Sequence, residues 1–276
     1  MLSKPYNKIT HSILLTTPTT RLLSAVTILL IPLINNQNVQ AQTNSFPPPY
    51  AIISLESAAA YGGSAESINN YGEVSGSAFL YGSGFEPYYW DGIDGMIIIG
   101  NFGGPFGNGW DINDLGYVVG EAENNIHFDE AFLWDGTDKI ILGSLGGDNT
   151  RAYSINNSGY IVGQGGYDPD LYGAKHGFLW FDGIITDLGV IADYSSSAND
   201  INEIGLIAGW SSTEQGFDFR HAIIWQDGQI IDLGTLPGGR RSEAHGINDL
   251  NQVVGYSEYV YYNAFIWDLG VMSNIH

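Results

Sequence analysis

The sequence of 276 residues lacks cysteine, which excludes disulfide bonds and thiolate chemistry. It is also poor in basic side chains, with 9 Lys and Arg against 30 Asp and Glu and a formal net charge of −21. So acidic a surface repels phosphate groups, which argues against nucleic acid and anionic membranes as partners. Charged residues reach only 14%, whereas apolar residues make up 44%, and this balance favours a folded core over disorder.

What the sequence does contain is a nine-residue motif that occurs five times. The copies read INNYGEVSG, INDLGYVVG, INNSGYIVG, INEIGLIAG and INDLNQVVG. Their second residues are Asn69, Asn113, Asn156, Asn202 and Asn248, at steps of 44, 43, 46 and 46 residues. A repeat of this length with short apolar segments indicates one small β-structured unit per period.

The motif itself is typical of a β-hairpin. Its Asn can bond backbone amides two residues ahead, and its Gly suits the turn position that needs a positive φ. In the fifth copy Asn251 replaces this Gly, and Asn is one of the few other residues that tolerates such a conformation. We therefore interpret the repeated Asn, Asp and Gly residues as structural.

Each period contains four short apolar segments, and no helical periodicity is visible after the first fifty residues. The sequence therefore predicts an all-β fold, a β-propeller of five four-stranded blades, with a six-bladed ring containing an incomplete blade as the alternative. One segment per period ends in Trp, and these side chains are predicted to pack between blades. They are Trp90, Trp134, Trp180, Trp225 and Trp267. A sixth copy of the first segment, at residues 271–275, either is redundant or completes a shared blade.

The first fifty residues differ from the rest. Lys4, Lys8 and Arg21 precede an apolar run at residues 22–34, and a small-residue cleavage pattern ends at Ala41. This arrangement predicts a signal peptide over residues 1–41 and secretion, because the run is short for a membrane span; an uncleaved anchor is the alternative. Residues 42–49 are interpreted as a linker and residues 50–276 as the repeat domain.

The combined pattern resembles the bacterial HAF-type extracellular repeat. The best copy runs from His221 through Trp225 and Gly234 to Ile247 and Gly255, and the resemblance covers about residues 50–275. It implies a secreted, propeller-like protein with no established activity and offers no catalytic residues. The family histidine occurs as His176 and His221 but is replaced elsewhere. The replacing residues are Glu86, Glu130 and Asn263. We therefore interpret the two histidines as structural rather than as metal ligands.

Because repeated residues maintain the fold, candidate functional residues are those at which the copies disagree. Two residues before the motif Ile, the copies carry chemically different side chains. They are Glu66, Trp110, Tyr153, Asn199 and His245. In a closed ring these positions would form one circle, and their mixture of aromatic and polar groups suits sugar or peptide recognition.

A second variable region is the loop before the Trp-ending strand, which differs in length between copies. In one copy Asp168 and Asp170 give the loop a partial resemblance to a calcium-binding loop, although the acidic ligand at its end is missing. This makes calcium the one cofactor worth considering.

Three functions remain open. We favour a secreted, non-catalytic binding protein for an extracellular ligand such as a glycan or cell-surface component, with no enzyme activity. A calcium-stabilised adhesive or structural element is the alternative. A glycan-active hydrolase is a third, and it would need the carboxyl groups of Glu66, Asp111 and Asp200 to converge.

Overall fold

A computed structural model describes residues 54–55, 60–167, 174–192, 194–214, 219–258 and 260–275. These residues form twenty strands in five antiparallel sheets of four consecutive strands each. The predicted five four-stranded blades are thereby confirmed. None of the residues so described belongs to a helix that is long and apolar enough to cross a membrane.

The strands follow one another in the order of the chain. The first sheet contains β1 (Ala60–Ile68), β2 (Val74–Leu80), β3 (Gly84–Trp90) and β4 (Met96–Ile98). The second contains β5 (Gly103–Ile112), β6 (Val118–Asn124), β7 (Asp129–Trp134) and β8 (Lys139–Ile141). The third contains β9 (Arg151–Ile155), β10 (Ile161–Gly166), β11 (Lys175–Phe181) and β12 (Ile184–Asp187). The fourth contains β13 (Ser196–Ile201), β14 (Ile207–Ser212), β15 (Arg220–Gln226) and β16 (Gln229–Gly234). The fifth contains β17 (Arg241–Ile247), β18 (Val253–Glu258), β19 (Tyr262–Asp268) and β20 (Val271–Asn274).

The sixth copy of the first apolar segment, at residues 271–275, contains strand β20. Strand β20 pairs with β19 and completes the fifth sheet, so this copy is not redundant. At the other end, Ser54 and Leu55 are not in a strand. The predicted signal peptide and linker lie outside the described residues.

Successive sheets pack face to face through apolar side chains. The innermost strands β5, β9, β13 and β17 each contact the innermost strand of the preceding sheet. Between the second and third sheets, for example, Val119 and Leu133 meet Ile155, Phe178 and Trp180. Trp134, Trp180 and Trp225 are buried, and Trp90 and Trp267 are partly buried. Trp134, Trp180, Trp225 and Trp267 therefore pack between sheets, as the sequence predicts, whereas Trp90 packs against its own sheet and Leu55.

The hairpin turn of each repeat has the predicted backbone. Its Gly has a positive φ in four copies, and Asn251 takes the same conformation in the fifth with a φ of 63°. The turn Asn accepts two backbone amides through its side-chain oxygen, as Asn156 does from Ser158 and Tyr160.

The other end of the same Asn side chain joins neighbouring sheets. In four copies its Nδ2 donates to the backbone oxygen of the equivalent Asn one sheet further on. These bonds, from Asn69 to Asn113, Asn113 to Asn156, Asn156 to Asn202 and Asn202 to Asn248, measure 2.9, 3.1, 3.1 and 3.1 Å. We call this series the asparagine ladder. One side chain thus shapes the hairpin and fixes the spacing between sheets.

A β-bulge recurs where each innermost strand faces its neighbour. Ala152 pairs with Gly163 and Ser154 pairs with Val162, which leaves Tyr153 as the extra residue. Opposite the bulge, a Cβ on Gly163 would lie 1.9 Å from the carbonyl oxygen of Arg151. The equivalent glycines of the other copies have the same constraint. They are Gly76, Gly120, Gly209 and Gly255, with corresponding distances of 2.0, 1.9, 1.9 and 1.9 Å. The final Gly of the motif is therefore required by close backbone approach.

The asparagine ladder generates a prediction with an internal control. Asn156→Ala removes the turn bonds and the rung to Asn202, whereas Asn248→Ala removes turn bonds alone, because Asn248 Nδ2 donates to Gln252 of its own turn. We expect Asn156→Ala to lower the free energy of unfolding by about 1 kcal/mol more than Asn248→Ala. Denaturant titration measures both. Equal losses would show that the rung contributes nothing to stability.

Candidate functional site

The five sequence-predicted site residues all occupy the same structural position, the extra residue of the β-bulge. In the ladder of β5 and β6, for instance, Gly109 and Asp111 have partners and Trp110 does not. A bulge redirects its extra side chain and frees it from the alternation of the strand. The same register shift surrounds the other four. They are Glu66, Tyr153, Asn199 and His245.

Four of these residues converge on one cavity of about 370 Å³ among the innermost strands of the second to fifth sheets. The cavity combines aromatic rings with polar groups. Its lining residues are Trp110, Tyr153, Gln164, Ser197, Asn199, Trp210, Glu243 and His245. We call this space the axial cavity. The rings of Trp110 and Tyr153 meet edge to face, with their centroids 6.3 Å apart.

Glu66 does not line the axial cavity, so the expected circle of five contains four members. It lies on β1 of the first sheet, where its side chain is exposed and accepts a hydrogen bond of 2.6 Å from Ser64. Its bulge matches the other four, but the first sheet does not bring it to the cavity.

The sequence reasoning missed half of the lining. Gln164 and Trp210 directly follow the motif's last Gly, and Ser197 and Glu243 lie two residues before the bulge. Both positions differ among copies, although Ser occurs twice, at residues 64 and 197, in the position two residues before the bulge. After the Gly the copies read Ser77, Glu121, Gln164, Trp210 and Tyr256. Comparing the five copies at every position, and not at the bulge alone, would have identified these residues.

One wall of the cavity is a partly buried network of charged and aromatic groups. Glu243 is 8% exposed, forms an ion pair with Arg220 and accepts a hydrogen bond from the Tyr256 hydroxyl. The Arg220 guanidinium lies 4.9 Å from the centre of the Trp210 ring. Burial, together with Glu243, raises the pKa of Tyr256 to about 12, so its phenol remains a hydrogen-bond donor. The carboxylate of this wall is therefore balanced by a cation.

A similar network lies beside Tyr153. Arg151 Nη2 is 2.7 Å from Asp129, and its Nε is 3.0 Å from Glu121. Burial raises the pKa of Glu121, and Arg151 opposes that shift. Burial likewise raises the pKa of the Tyr153 phenol. Both walls thus combine an arginine with carboxyl groups and present aromatic rings to the cavity.

Behind the bulges the structure brings two acidic residues together. Ser154 Oγ lies 3.1 Å from Asp111 Oδ2 and 3.0 Å from Asp200 Oδ1. The two carboxyl groups also accept backbone amides from the sheet that follows, Ile155 for Asp111 and Ile247 for Asp200. Neither acid lines the axial cavity. Both acids bond to neighbouring sheets from the position directly before the motif Ile, where the other copies have Ser or Gly.

The position of these acids determines their protonation. Burial raises the pKa of Asp111, against opposing hydrogen bonds from Ser67, Ile155 and Ser154. Burial also raises the pKa of Asp200, and the charge of Asp111 adds to that shift. Ser154 has one hydroxyl proton, so it can donate to only one of the two carboxylates. Its second contact is favourable when the other carboxyl group carries a proton.

The remaining candidates concern metals. Asp168 and Asp170 lie outside the described residues, and no group of three His, Asp or Glu side chains suited to a metal occurs in the part of the chain that is described. His176 Nδ1 lies 2.9 Å from Asp187 and His221 Nδ1 lies 2.9 Å from Asp232. These pairs tie the third strand of a sheet to the fourth and agree with a structural role for both histidines.

Comparison with solved structures supports the propeller architecture. The chain is similar to a putative TolB from Agrobacterium tumefaciens over 78% of this chain and 80% of that one, with a TM-score of 0.54 and 12% identity. For TolB from Acinetobacter baumannii the coverage is 76% and 52%, the TM-score 0.52 and the identity 15%. An acylaminoacyl peptidase from Pyrococcus horikoshii is similar over 70% of this chain and 31% of that one, with a TM-score of 0.50 and 13% identity. At such low identity the likeness shows the fold alone.

No protein-family model matches the sequence, and no curated protein matches it. The resemblance to HAF-type repeats therefore stays a prediction.

The acid pair generates a prediction about pH. Because the folded-state pKa values of Asp111 and Asp200 are raised above 3.8, their contribution to stability is present at low pH and is lost as the pH rises through the folded values. Asp200→Ser places the side chain that Ser154 has in the third sheet and removes one charge. We expect this variant to gain stability relative to the wild type as the pH rises from about 4 towards neutrality.

Thermal unfolding across pH measures this difference, and Asp94→Ser, at an exposed turn, is the matched control. A stability difference between Asp200→Ser and the wild type that stays constant with pH would contradict the raised pKa values of the two acids.

Proposed function

We propose that this protein is a secreted, non-catalytic binding protein whose axial cavity takes a neutral carbohydrate. The observation that carries the proposal is the convergence of three aromatic side chains with amide, hydroxyl and imidazole groups in one cavity of about 370 Å³. Trp110 and Tyr153 are half-buried and supply apolar ring surfaces of the kind that cover the C–H face of a sugar ring, and the buried Trp210 lines the cavity beside them. Cavities of this volume suit small ligands.

The polar groups of the cavity favour recognition of hydroxyl groups. Gln164 uses its Nε2 to bond the Ser196 carbonyl, and no bond is described for its side-chain oxygen. The exposed His245 adds two ring nitrogens, whereas Asn199 is committed to Ala244 and Ser197. Groups that can both donate and accept match the bonding pattern of sugar hydroxyls.

The charge balance favours a neutral ligand over an ionic one. Glu243 is the only carboxylate among the lining residues, and its partner Arg220 neutralises it. On the other side Arg151 is engaged by Asp129 and Glu121. A ligand carboxylate or ammonium would therefore find no unpaired counter-charge among these residues and would lose hydration on entry.

The same geometry supports a binding role over a hydrolytic one. A glycosidase needs two carboxyl groups that reach the bond to be cleaved. Here Asp111 and Asp200 are bonded to backbone amides and are not lining residues, and Glu66 is exposed on the first sheet. Secretion rests on the predicted signal peptide over residues 1–41.

The proposal predicts binding that depends on the bulge residues. We expect a screen against neutral oligosaccharides and cell-wall fragments to identify a ligand, and Trp110→Ala to weaken its binding by about tenfold to about a hundredfold, since a stacked ring contributes on the order of 1–3 kcal/mol. Isothermal titration calorimetry measures the affinity.

Tyr71→Ala is the matched control, because Tyr71 is an aromatic residue on an exposed turn, 75% exposed. Binding that Trp110→Ala leaves unchanged, or release of reducing sugar from the ligand, would contradict the proposal. In the second case the hydrolase alternative would replace it.

A further inference from the structure

The hairpin turns that follow the innermost strands are bonded to one another at one end of the sheets. In the last four copies the side chain of the third motif residue accepts a hydrogen bond from the backbone amide of the equivalent residue one sheet earlier. These bonds, from Asn70 to Asp114, Asp114 to Asn157, Asn157 to Glu203 and Glu203 to Asp249, measure 3.0, 2.7, 3.1 and 3.0 Å. With the asparagine ladder, this series makes the five turns one preorganised surface. We call it the turn face, at residues 69–73, 113–117, 156–160, 202–206 and 248–252.

The fourth motif residue forms the tip of each turn and is a large, exposed apolar side chain in four of the five copies. Leu115 and Ile204 belong to sheets with a neighbour on either side, yet they are 61% and 64% exposed. Tyr71 and Leu250 are 75% and 76% exposed. The turn does not require such a side chain, because Ser158 occupies the same position of the same turn in the third copy. Apolar groups that are exposed together and dispensable for the fold indicate an interaction surface.

The charge around these apolar tips has one sign. The turns between the third and fourth strands lie at the same end of each sheet, because consecutive antiparallel strands alternate in direction. They add the apolar tips Ile93 and Leu269, which are 88% and 94% exposed. The ten turns described at this end contain eleven acids and no Lys or Arg. The acids are Glu73, Asp91, Asp94, Asp114, Asp135, Asp138, Asp182, Glu203, Asp227, Asp249 and Asp268. Hydrogen bonds from the Asn70 side chain and backbone hold the pKa of Asp114 below its usual range, so this carboxylate keeps its charge at mildly acidic pH.

This combination of apolar tips and acids selects among possible occupants. A second copy of the turn face would bring acids against acids, and an anionic membrane would be repelled in the same way. A purely polar polycation would satisfy the carboxylates but would leave the apolar tips in water. The occupant that suits both features is a protein that carries cations and apolar side chains together.

We propose that the turn face binds a basic segment of another protein, in which apolar side chains alternate with Lys or Arg. The apolar side chains of the segment cover tips such as Leu115 and Ile204, and its cations meet the carboxylates beside them. None of the residues that line the axial cavity belongs to these turns. Binding at the turn face is therefore independent of carbohydrate binding in the cavity.

Short synthetic peptides test the chemistry of the partner on the full chain. We expect saturable binding of a peptide in which leucine and lysine alternate, measured by fluorescence anisotropy at physiological ionic strength. A peptide of equal charge in which serine replaces leucine should bind about tenfold more weakly, because the apolar tips then gain no cover. A peptide in which leucine and glutamate alternate should not bind.

Substitution of two apolar tips locates the binding surface. Leu115→Ser combined with Ile204→Ser gives two turns the side chain that the third copy already has, so the fold should be kept. We expect this variant to bind the leucine–lysine peptide about tenfold more weakly than the wild type. Ile126→Ser is the matched control, because Ile126 is 64% exposed in the turn between β6 and β7, at the opposite end of the second sheet.

A second pair of variants tests the charge. Asp182→Asn combined with Asp227→Asn removes two carboxylates at this end and keeps the backbone, because Asn tolerates the positive φ of 47° and 50° at these positions. This variant should also bind the leucine–lysine peptide more weakly. Asp148→Asn combined with Glu214→Gln is the matched control, since both are exposed acids in connections at the opposite end. Circular dichroism establishes that every variant is folded.

Four results would overturn the proposal. One is a wild-type chain that does not bind the leucine–lysine peptide. Another is equal affinity for the leucine–lysine and serine–lysine peptides, since charge alone would then account for binding. A third is a loss of affinity in the control variants as large as that in the turn-face variants. The last is binding to neutral phosphatidylcholine vesicles that Leu115→Ser combined with Ile204→Ser abolishes, because a lipid surface would then cover the apolar tips.

Discussion

The structure depends on the contact between successive sheets, because a four-stranded sheet of this composition has apolar side chains on both faces. In the second sheet, Phe132 and Trp134 face the first sheet, whereas Val119 and Leu133 face the third, so their burial requires a neighbour in both directions. The asparagine ladder gives that packing a register, because one side chain closes its own hairpin and bonds the next sheet.

The architecture could be predicted from the sequence because each of the five repeats shows the same pattern of four apolar segments. The period and the four segments per period gave five four-stranded sheets, and Asn251 in place of Gly revealed a requirement for positive φ. The close approach opposite the bulge could not be foreseen. That each motif ends in Gly is visible in the sequence, but its cause, a carbonyl oxygen 1.9 Å from the missing Cβ of Gly163, depends on how two strands meet.

The candidate site was predicted in part, and the reason is geometric. Disagreement between copies pointed to Trp110, Tyr153, Asn199 and His245, and these converge in the axial cavity. Glu66 has the same local structure but belongs to the first sheet, and sequence position alone does not reveal which copies share a cavity. The contact of Asp111 and Asp200 through Ser154 also joins three different sheets, so spacing along the chain gives no sign of it.

The bulge has an evolutionary consequence. Its extra residue has no partner in the strand ladder, so exchanging one side chain for another alters no register and removes no hydrogen bond of the ladder. Selection can therefore rewrite the chemistry of the cavity one repeat at a time, while the glycine opposite and the asparagine of the hairpin stay fixed. Each repeat thus carries one variable position together with the hairpin and glycine that support it.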